Sequence, residues 1–396
     1  MTTENNPSPL TTTSISPTTP CCIDCSKPLD TSKSSSFFKC WKSPQYYYCS
    51  RPECHQPQCS TCAGMYPLIM DDNDANTSKK IKTFCKGCFY QCSTVDFSRT
   101  YDVLQPSSSP PSDIVFVFVH GGAGSRAMFR KHADILVDKY HHTCLLLDLP
   151  GHGSLVDTPL TLDSCVDVVS KLMTYHDEDE THSDLQQLWK EKNKTVIYVG
   201  GSLGAYVGFY ILNKIISVSS SSSSSTNHRN QIHHTFHGAI LLDCGQNVGP
   251  GASIQAQLGL ILLNYIGTHK SNVQLMSLMQ GIISKKSKAD FYLQETSFGS
   301  GMFFQQASAQ VSCLKQVEPA ILIPTLPIPI LYMNGSEDYR DSEKKWLQLC
   351  QDQEGSSLKV YEKGDHFFTH DRRFVNDMIE RWNNFAQIIH TKKRDK

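Results

Sequence analysis

Residues 195–213 read Thr-Val-Ile-Tyr-Val-Gly-Gly-Ser-Leu-Gly-Ala-Tyr-Val-Gly-Phe-Tyr-Ile-Leu-Asn. Val196, Ile197, Tyr198 and Val199 form a continuous β-branched and aromatic run bounded by glycine, the pattern of a strand buried on both faces. Tyr206, Phe209, Tyr210 and Asn213 then recur at helical spacing. Between strand and helix stands Gly200-Gly201-Ser202-Leu203-Gly204, a G-x-S-x-G pattern. A serine on so sharp a turn is held in a strained backbone with its hydroxyl raised above the sheet. Side chains at the flanking glycines would strike the neighbouring strand or helix. The helix start beside the serine presents free backbone N–H groups to an anion. The alternative is an ordinary strand–helix turn whose glycines only close the backbone.

Outward from this stretch, strands and helices alternate, which predicts a mostly parallel sheet covered on both faces. Ile114–Val119 reads as a strand ending in His120-Gly121-Gly122-Ala123-Gly124, followed by a helix over Ser125–Tyr140. Thr143–Leu147 reads as the next strand, ending in Asp148-Leu149-Pro150-Gly151-His152-Gly153. Thr161 is placed to cap a helix over Thr161–Met173. Asp177–Asp184 is acidic and reads as solvated, and Ser217–Asn230, with seven consecutive serines at Ser219–Ser225, reads as a flexible surface insertion. Gly238–Leu242 is a strand followed by Asp243. Residues 249–320 interrupt the alternation and read as a lid, helical near Ile254–Tyr265 and Val273–Ile283, whose apolar residues shape a pocket. Ile328–Met333 is a strand followed by Asn334-Gly335-Ser336-Glu337-Asp338, and Leu358–Tyr361 a strand followed by Gly364-Asp365-His366. An amphipathic helix over Arg373–Ile389 closes the domain.

A serine hydroxyl is a poor nucleophile unless an imidazole takes its proton and a carboxylate orients that imidazole. In open α/β sheets such groups gather at the carboxyl ends of strands. Three strand ends carry the three types in the order Ser202, Asp338, His366, separated by 338 − 202 = 136 and 366 − 338 = 28 residues. Glu337 and Asp341 stand near Asp338, and Asp243 lies at another strand end, so the acid has rivals.

From about Ile114 onward the chain resembles an α/β-hydrolase. The matching pieces are His120-Gly121-Gly122, Asp148 to Gly153, the Ser202 turn, Gly335-x-x-Asp338 and Asp365-His366. The resemblance implies Ser202 as nucleophile, His366 as general base and then acid, and Asp338 as orienter. It implies an oxyanion hole from the backbone N–H groups of Gly122 and Leu203. His120 and His152 then shape their loops, and Asp365 sets the loop of His366. A serine at this turn argues against the related dehalogenase and epoxide-opening chemistries, which use aspartate there.

Composition bounds the rest. The 396 residues suffice for one large domain and a small one. Net charge is −1, so no broad pull toward nucleic acid follows. Met1–Pro20 is polar, reads as a disordered tail, and lacks the charged start and apolar core of a signal peptide. The most apolar candidate for a membrane span, Pro319–Met333, is broken by four prolines. The expected location is therefore cytoplasmic.

Eleven of the 16 cysteines lie between Cys21 and Cys92. They include the pairs Cys22/Cys25, Cys49/Cys54, Cys59/Cys62 and Cys85/Cys88, eight thiolates for two tetrahedral Zn2+ ions. A segment this small has too little apolar area for a core, so the metal would hold it together. Cys54-x4-Cys59-x2-Cys62 and Lys82-Thr83-Phe84-Cys85-Lys86-Gly87-Cys88 resemble a FYVE-type zinc finger. That interleaved arrangement implies one ion on Cys22, Cys25, Cys59 and Cys62 and the other on Cys49, Cys54, Cys85 and Cys88. The C-x4-C second pair departs from the family, as does Tyr46-Tyr47-Tyr48 where a basic cluster would stand. Tyr48-Cys49-Ser50 and Cys54-His55 also resemble a MYND-type finger, and Cys21, Cys40, Cys92 and His55 are substitutes at either metal. Residues 21–95 thus read as a zinc-binding domain, 96–112 as a proline- and serine-rich linker, and 113–396 as the hydrolase domain.

Two functions follow. The first is a hydrolase that cleaves an ester, thioester or amide of a small acyl or lipid substrate and needs no cofactor for catalysis. The second is a targeting scaffold in which the zinc module binds a membrane or protein partner and the hydrolase fold is silent.

Overall fold

The computed structural model describes residues 98–107, 110–176, 183–190, 193–221, 231–244, 306–338, 342–350 and 353–395, with four short strand segments nearer the N-terminus. The main body is a seven-stranded sheet. Its strands are β1 (Tyr101–Leu104), β2 (Ile114–Val119), β3 (Thr143–Leu147), β4 (Thr195–Gly201), β5 (Gly238–Leu242), β6 (Ile330–Gly335) and β7 (Ser357–Tyr361), in the spatial order β7-β6-β5-β4-β2-β3-β1. All neighbours pair in parallel except β1, which runs antiparallel to β3. Every residue of β2 to β6 is buried, as the unbroken apolar runs require of a sheet covered on both faces.

The period of two in the strands sorts their side chains onto the two faces. Phe116, Phe118, Ile197, Val199, Ile240 and Met333 meet α1 (Arg130–Tyr140) and the C-terminal helix Val375–Arg394. Val115, Val117, Val196, Tyr198, Leu241 and Tyr332 meet helices on the opposite face. These are α2 (Leu162–Leu172), α3 (Ser183–Trp189), α4 (Leu203–Ser221), α5 (Ala307–Gln316) and α6 (Ser342–Leu349). The C-terminal helix completes the set as α7.

Several boundaries differ from the sequence reading. Tyr101–Leu104, assigned to the linker, is the edge strand β1, and Tyr101 is buried. Four residues beside a Pro/Ser-rich stretch carry too short an alternation to show a strand, and pairing to β3 supplies what local pattern lacks. Arg126–Phe129 is a tight 3-10 turn before α1, capped by the Ser125 side chain. The acidic stretch gives way to α3 at Ser183. The Thr161 cap is present as a reciprocal pair with Ser164. Among the described residues no helix is long and apolar enough to cross a membrane.

Within the cysteine-rich segment, Tyr46–Tyr48 pairs antiparallel with Pro57–Cys59, and Pro67–Met70 with Lys80–Thr83. The zinc ligands expected at Cys22, Cys25, Cys49, Cys54, Cys62, Cys85 and Cys88 lie outside the described residues, and Cys59 is placed by its backbone alone. The lid helices expected near Ile254–Tyr265 and Val273–Ile283 also lie outside them. The last part of that stretch, α5, packs on the body beside α4.

Candidate active site

Ser202 is the single residue between β4 and α4, and it takes the left-handed conformation, φ +49°. For a non-glycine residue this costs roughly 1–2 kcal/mol, so the surroundings must hold it. They do so through the backbone: Ser202 N–H donates to Leu242 O (2.8 Å) and Tyr206 N–H donates to Ser202 O (2.9 Å). The flanking glycines are demanded by contact. A Cβ on Gly200 would lie 2.7 Å from Ala205 N, and one on Gly204 would lie 2.6 Å from His120 O. The Tyr198 hydroxyl also donates to Gly204 O (2.7 Å), tying strand to helix.

His366 and Asp338 arrive from two loops that touch. Ser336 N–H donates to Tyr361 O (2.9 Å) and Glu337 N–H to Gly364 O (2.7 Å), so the turn after β6 is pinned to the turn after β7. Asp365 Oδ1 accepts from Phe367 N–H (2.8 Å), shaping the loop around His366. The result is a continuous relay. His366 Nε2 lies 3.0 Å from Ser202 Oγ, and His366 Nδ1 lies 2.7 Å from Asp338 Oδ2. The Asp338 side chain is 4% exposed, whereas that of His366 keeps 34% of its surface and is open on one edge. Glu337, the adjacent rival, is exposed. Burial alone would lower the His366 pKa. The Asp338 hydrogen bond and charge outweigh it, and the net direction is upward.

Asp243 is the third acidic group at this edge. It is buried, has φ +52°, and its carboxylate lies within 4.8 Å of the nearest ligand atoms of Asp338 and His366. Its Oδ1 has no hydrogen-bond partner among the described residues. Burial, then the charges of Asp338, Glu343 and Asp365, push its pKa well up. Asp338 is the acid that meets the ring of His366, at 2.7 Å from Nδ1. This trio is also the one metal-competent grouping among the described residues. Both ring nitrogens of His366 already face Ser202 and Asp338, so the donor set does not suit an ion.

The loop after β2 abuts the serine. A Cβ on Gly121 would lie 3.3 Å from Ser202 Cβ. His120 and His152 fix this loop as neutral rings. His120 Nδ1–H donates to Gly121 O (2.7 Å) and Nε2 accepts from Leu149 N–H (3.0 Å). His152 Nδ1–H donates to Pro150 O (2.9 Å) and Nε2 accepts from Ala123 N–H (3.2 Å). Burial pushes His120 down to about 4 and His152 to about 3. Below them Asp148 and Arg126 form an ion pair with fully buried side chains, and Asp148 also accepts from Arg126 N–H and from Ser154. Leu203 follows Ser202 as the first residue of α4, and Gly122 follows Gly121 on the loop that abuts Ser202.

Two glutamines, Gln306 at the N-cap of α5 and Gln310 within it, escaped the sequence reading. Gln306 Nε2 donates to Val156 O (3.1 Å) and Thr158 O (2.8 Å), and its Oε1 accepts from Leu160 N–H (2.5 Å). Gln310 faces Gly122. No motif marks two glutamines four residues apart, and only the fold brings them to this loop.

The model of the Alpha/beta hydrolase family matches residues 116–378. No curated protein matches the chain. Among solved structures, MenH from S. aureus is similar at 14% identity and TM-score 0.51, covering 73% of this chain and 98% of its own. The thermophilic esterase from Thermogutta terrifontis shows 15% identity, TM-score 0.50 and coverage of 76% and 97%. The esterase EaEST from Exiguobacterium antarcticum shows 13% identity, TM-score 0.51 and coverage of 72% and 94%. These likenesses speak to the fold, and the match across strands, loops and site edge makes the chain a member of the α/β-hydrolase family.

Proposed function

We propose that this chain is a serine hydrolase that cleaves an ester, thioester or amide through an acyl-enzyme. The supporting observation is the relay of 3.0 Å from Ser202 Oγ to His366 Nε2 and 2.7 Å from His366 Nδ1 to Asp338. With Nδ1–H donating to Asp338, Nε2 is the basic nitrogen and can take the serine proton. Oγ then attacks the acyl carbon, and the carbonyl π electrons move onto oxygen. The Gly122 and Leu203 N–H groups would stabilise that oxyanion, each worth roughly 3–4 kcal/mol when removed. Collapse expels the leaving group, which collects the proton from His366 Nε2. A water, deprotonated by the same nitrogen, releases the acid and restores Ser202.

The alternative acid, Asp243, is disfavoured as the orienter because the two ring nitrogens of His366 are taken by Asp338 and Ser202. On sequence spacing alone, we also propose that the eight paired cysteines hold two zinc ions in a module that docks a membrane or protein partner. No step of the chemistry passes through those ions.

Hydrolysis of p-nitrophenyl esters of graded acyl length tests the reading. Wild type should hydrolyse at least one, and folded Ser202→Ala should lose roughly a thousandfold or more. Equal rates in the two proteins would sink the hydrolytic reading.

A further inference from the structure

We infer that Gln310 is a substrate-contacting residue whose side-chain amide donates a hydrogen bond to the acyl oxygen of the bound substrate, from beside Gly122. The inference rests on the serine-hydrolase reading above and adds a donor that the family pattern does not supply. Gln310 lies on α5, within the stretch read from sequence as a lid. Its amide is packed against the oxyanion loop. A Cβ built on Gly122 would collide with Nε2, and would lie 2.9 Å from the amide carbon and 3.0 Å from Oε1. Gly122 follows Gly121, which touches Ser202. The amide therefore stands at the rim of the space where the carbonyl must sit to be reached by both Oγ and the Gly122 N–H.

Two features distinguish Gln310 from a surface glutamine. First, it is half-buried, yet its amide has no hydrogen-bond partner among the described residues. A half-buried amide left unpaired forfeits hydrogen bonds that water or a ligand must make good. Second, the helix that carries it is fixed. One turn earlier, Gln306 spends its whole amide on the loop Val156–Leu160, and Ala307, Val311 and Cys313 are buried. Gln310 N–H donates to Gln306 O (2.9 Å), so the Gln306 clamp at the N-cap holds the first turn that carries Gln310. The first glutamine is satisfied by protein, and the second is presented to the site.

The test compares Gln310→Ala, Gln310→Met and wild type in full-length protein, using the p-nitrophenyl ester that wild type turns over best and following melting temperature in parallel. Methionine fills similar space without a donor. The account expects both variants to lose roughly 10- to 100-fold in kcat/KM, with melting temperatures within a few degrees of wild type. Full activity in Gln310→Met would assign the residue to packing and overturn the inference, as would wild-type activity in both variants. Because each variant is read against a wild type that must itself be active and Ser202-dependent, failure here is separable from failure of the hydrolase reading.

Discussion

Gly335 and Gly364 meet backbone to backbone. A Cβ on Gly335 would lie 2.5 Å from Gly364 C and 2.6 Å from Asp365 O, and one on Gly364 would lie 3.0 Å from Gly335 Cα. This contact brings Asp338 and His366 together although they arise from separate strand ends. Gly335→Ala must push backbone, because no flexible side chain is there to yield. It should destabilise the fold by roughly 1–3 kcal/mol and lower kcat at least tenfold, since the relay depends on the spacing of these loops. Denaturant titration and ester turnover on the same preparation check both parts. A variant with wild-type kcat would show that the two loops are not coupled.

Asp338→Asn keeps the size of the acid but removes its charge, and its amide can present a donor to Nδ1. The ring can then adopt the wrong tautomer, with Nε2 carrying the proton. Turnover should fall by roughly a thousandfold to ten-thousandfold while folding is retained. Asp243→Asn should have a far smaller effect, because Asp338 and not Asp243 bonds the ring of His366.

The pH profile of kcat/KM should report His366. The reaction needs its neutral ring, and Asp338 favours the charged one, so the net shift is upward from the ordinary histidine value. Activity should therefore be lost as pH falls through a midpoint above about 6.5. A midpoint below that value would contradict the Asp338 pairing.

Acid should also unfold the protein through its buried rings. His120, His132 and His152 are buried and neutral, with pKa values pushed by burial to about 4, about 4 and about 3. The unfolded chain binds protons at these sites below about 6.5, while the folded chain does not. Their contribution is thus fully present above that value and is lost as pH falls toward 4. Each adds a slope of about 1.4 kcal/mol per pH unit within the window. Asp243 acts in the opposite sense, because the folded chain keeps its proton where the unfolded chain has released it. His142, His237 and His370 are also shifted down and add to the loss, while Asp365 and His366 are shifted up and act with Asp243. Six groups against three leave stability falling with acid, which urea midpoints at pH 7, 6 and 5 would show.

The Arg126–Asp148 pair gives a structural prediction. Both side chains are fully buried, so Asp148→Ala takes the buried carboxylate from Arg126, leaving it the part-exposed Asp102 (3.2 Å), and leaves the Ser154 donors unsatisfied. Removing one partner of such a pair costs roughly 3–5 kcal/mol. Replacing the exposed i,i+4 pair Arg130–Asp134 by alanines should change stability by less than about 1 kcal/mol.

The fold was legible where local pattern and burial agree. The apolar runs of β2 to β6 are readable because strands covered on both faces tolerate few polar residues, and the glycines around Ser202 are readable because backbone contact excludes Cβ atoms. The Ser202, Asp338 and His366 set was legible as residue types at strand ends. β1 was not, because a short edge strand takes its pairing from β3 and not from its own sequence. Gln306 and Gln310 were illegible for a similar reason: their roles come from the loops they meet. Asp243 could be marked as a rival acid, but the upward push on its pKa comes from burial and then from Asp338 and Glu343, which only the fold brings about. The cysteine pairs remain an expectation of sequence, which metal analysis of the purified full chain would check, two zinc ions per chain being the expected value.

The central claim is that Ser202 is a nucleophile activated by His366. Intact-mass and peptide mapping after exposure to a fluorophosphonate probe test it most directly. The account predicts one phosphonyl adduct, located on Ser202, lost in Ser202→Ala and slowed greatly in His366→Ala. An unlabelled wild type, or an adduct that persists in Ser202→Ala, would contradict it.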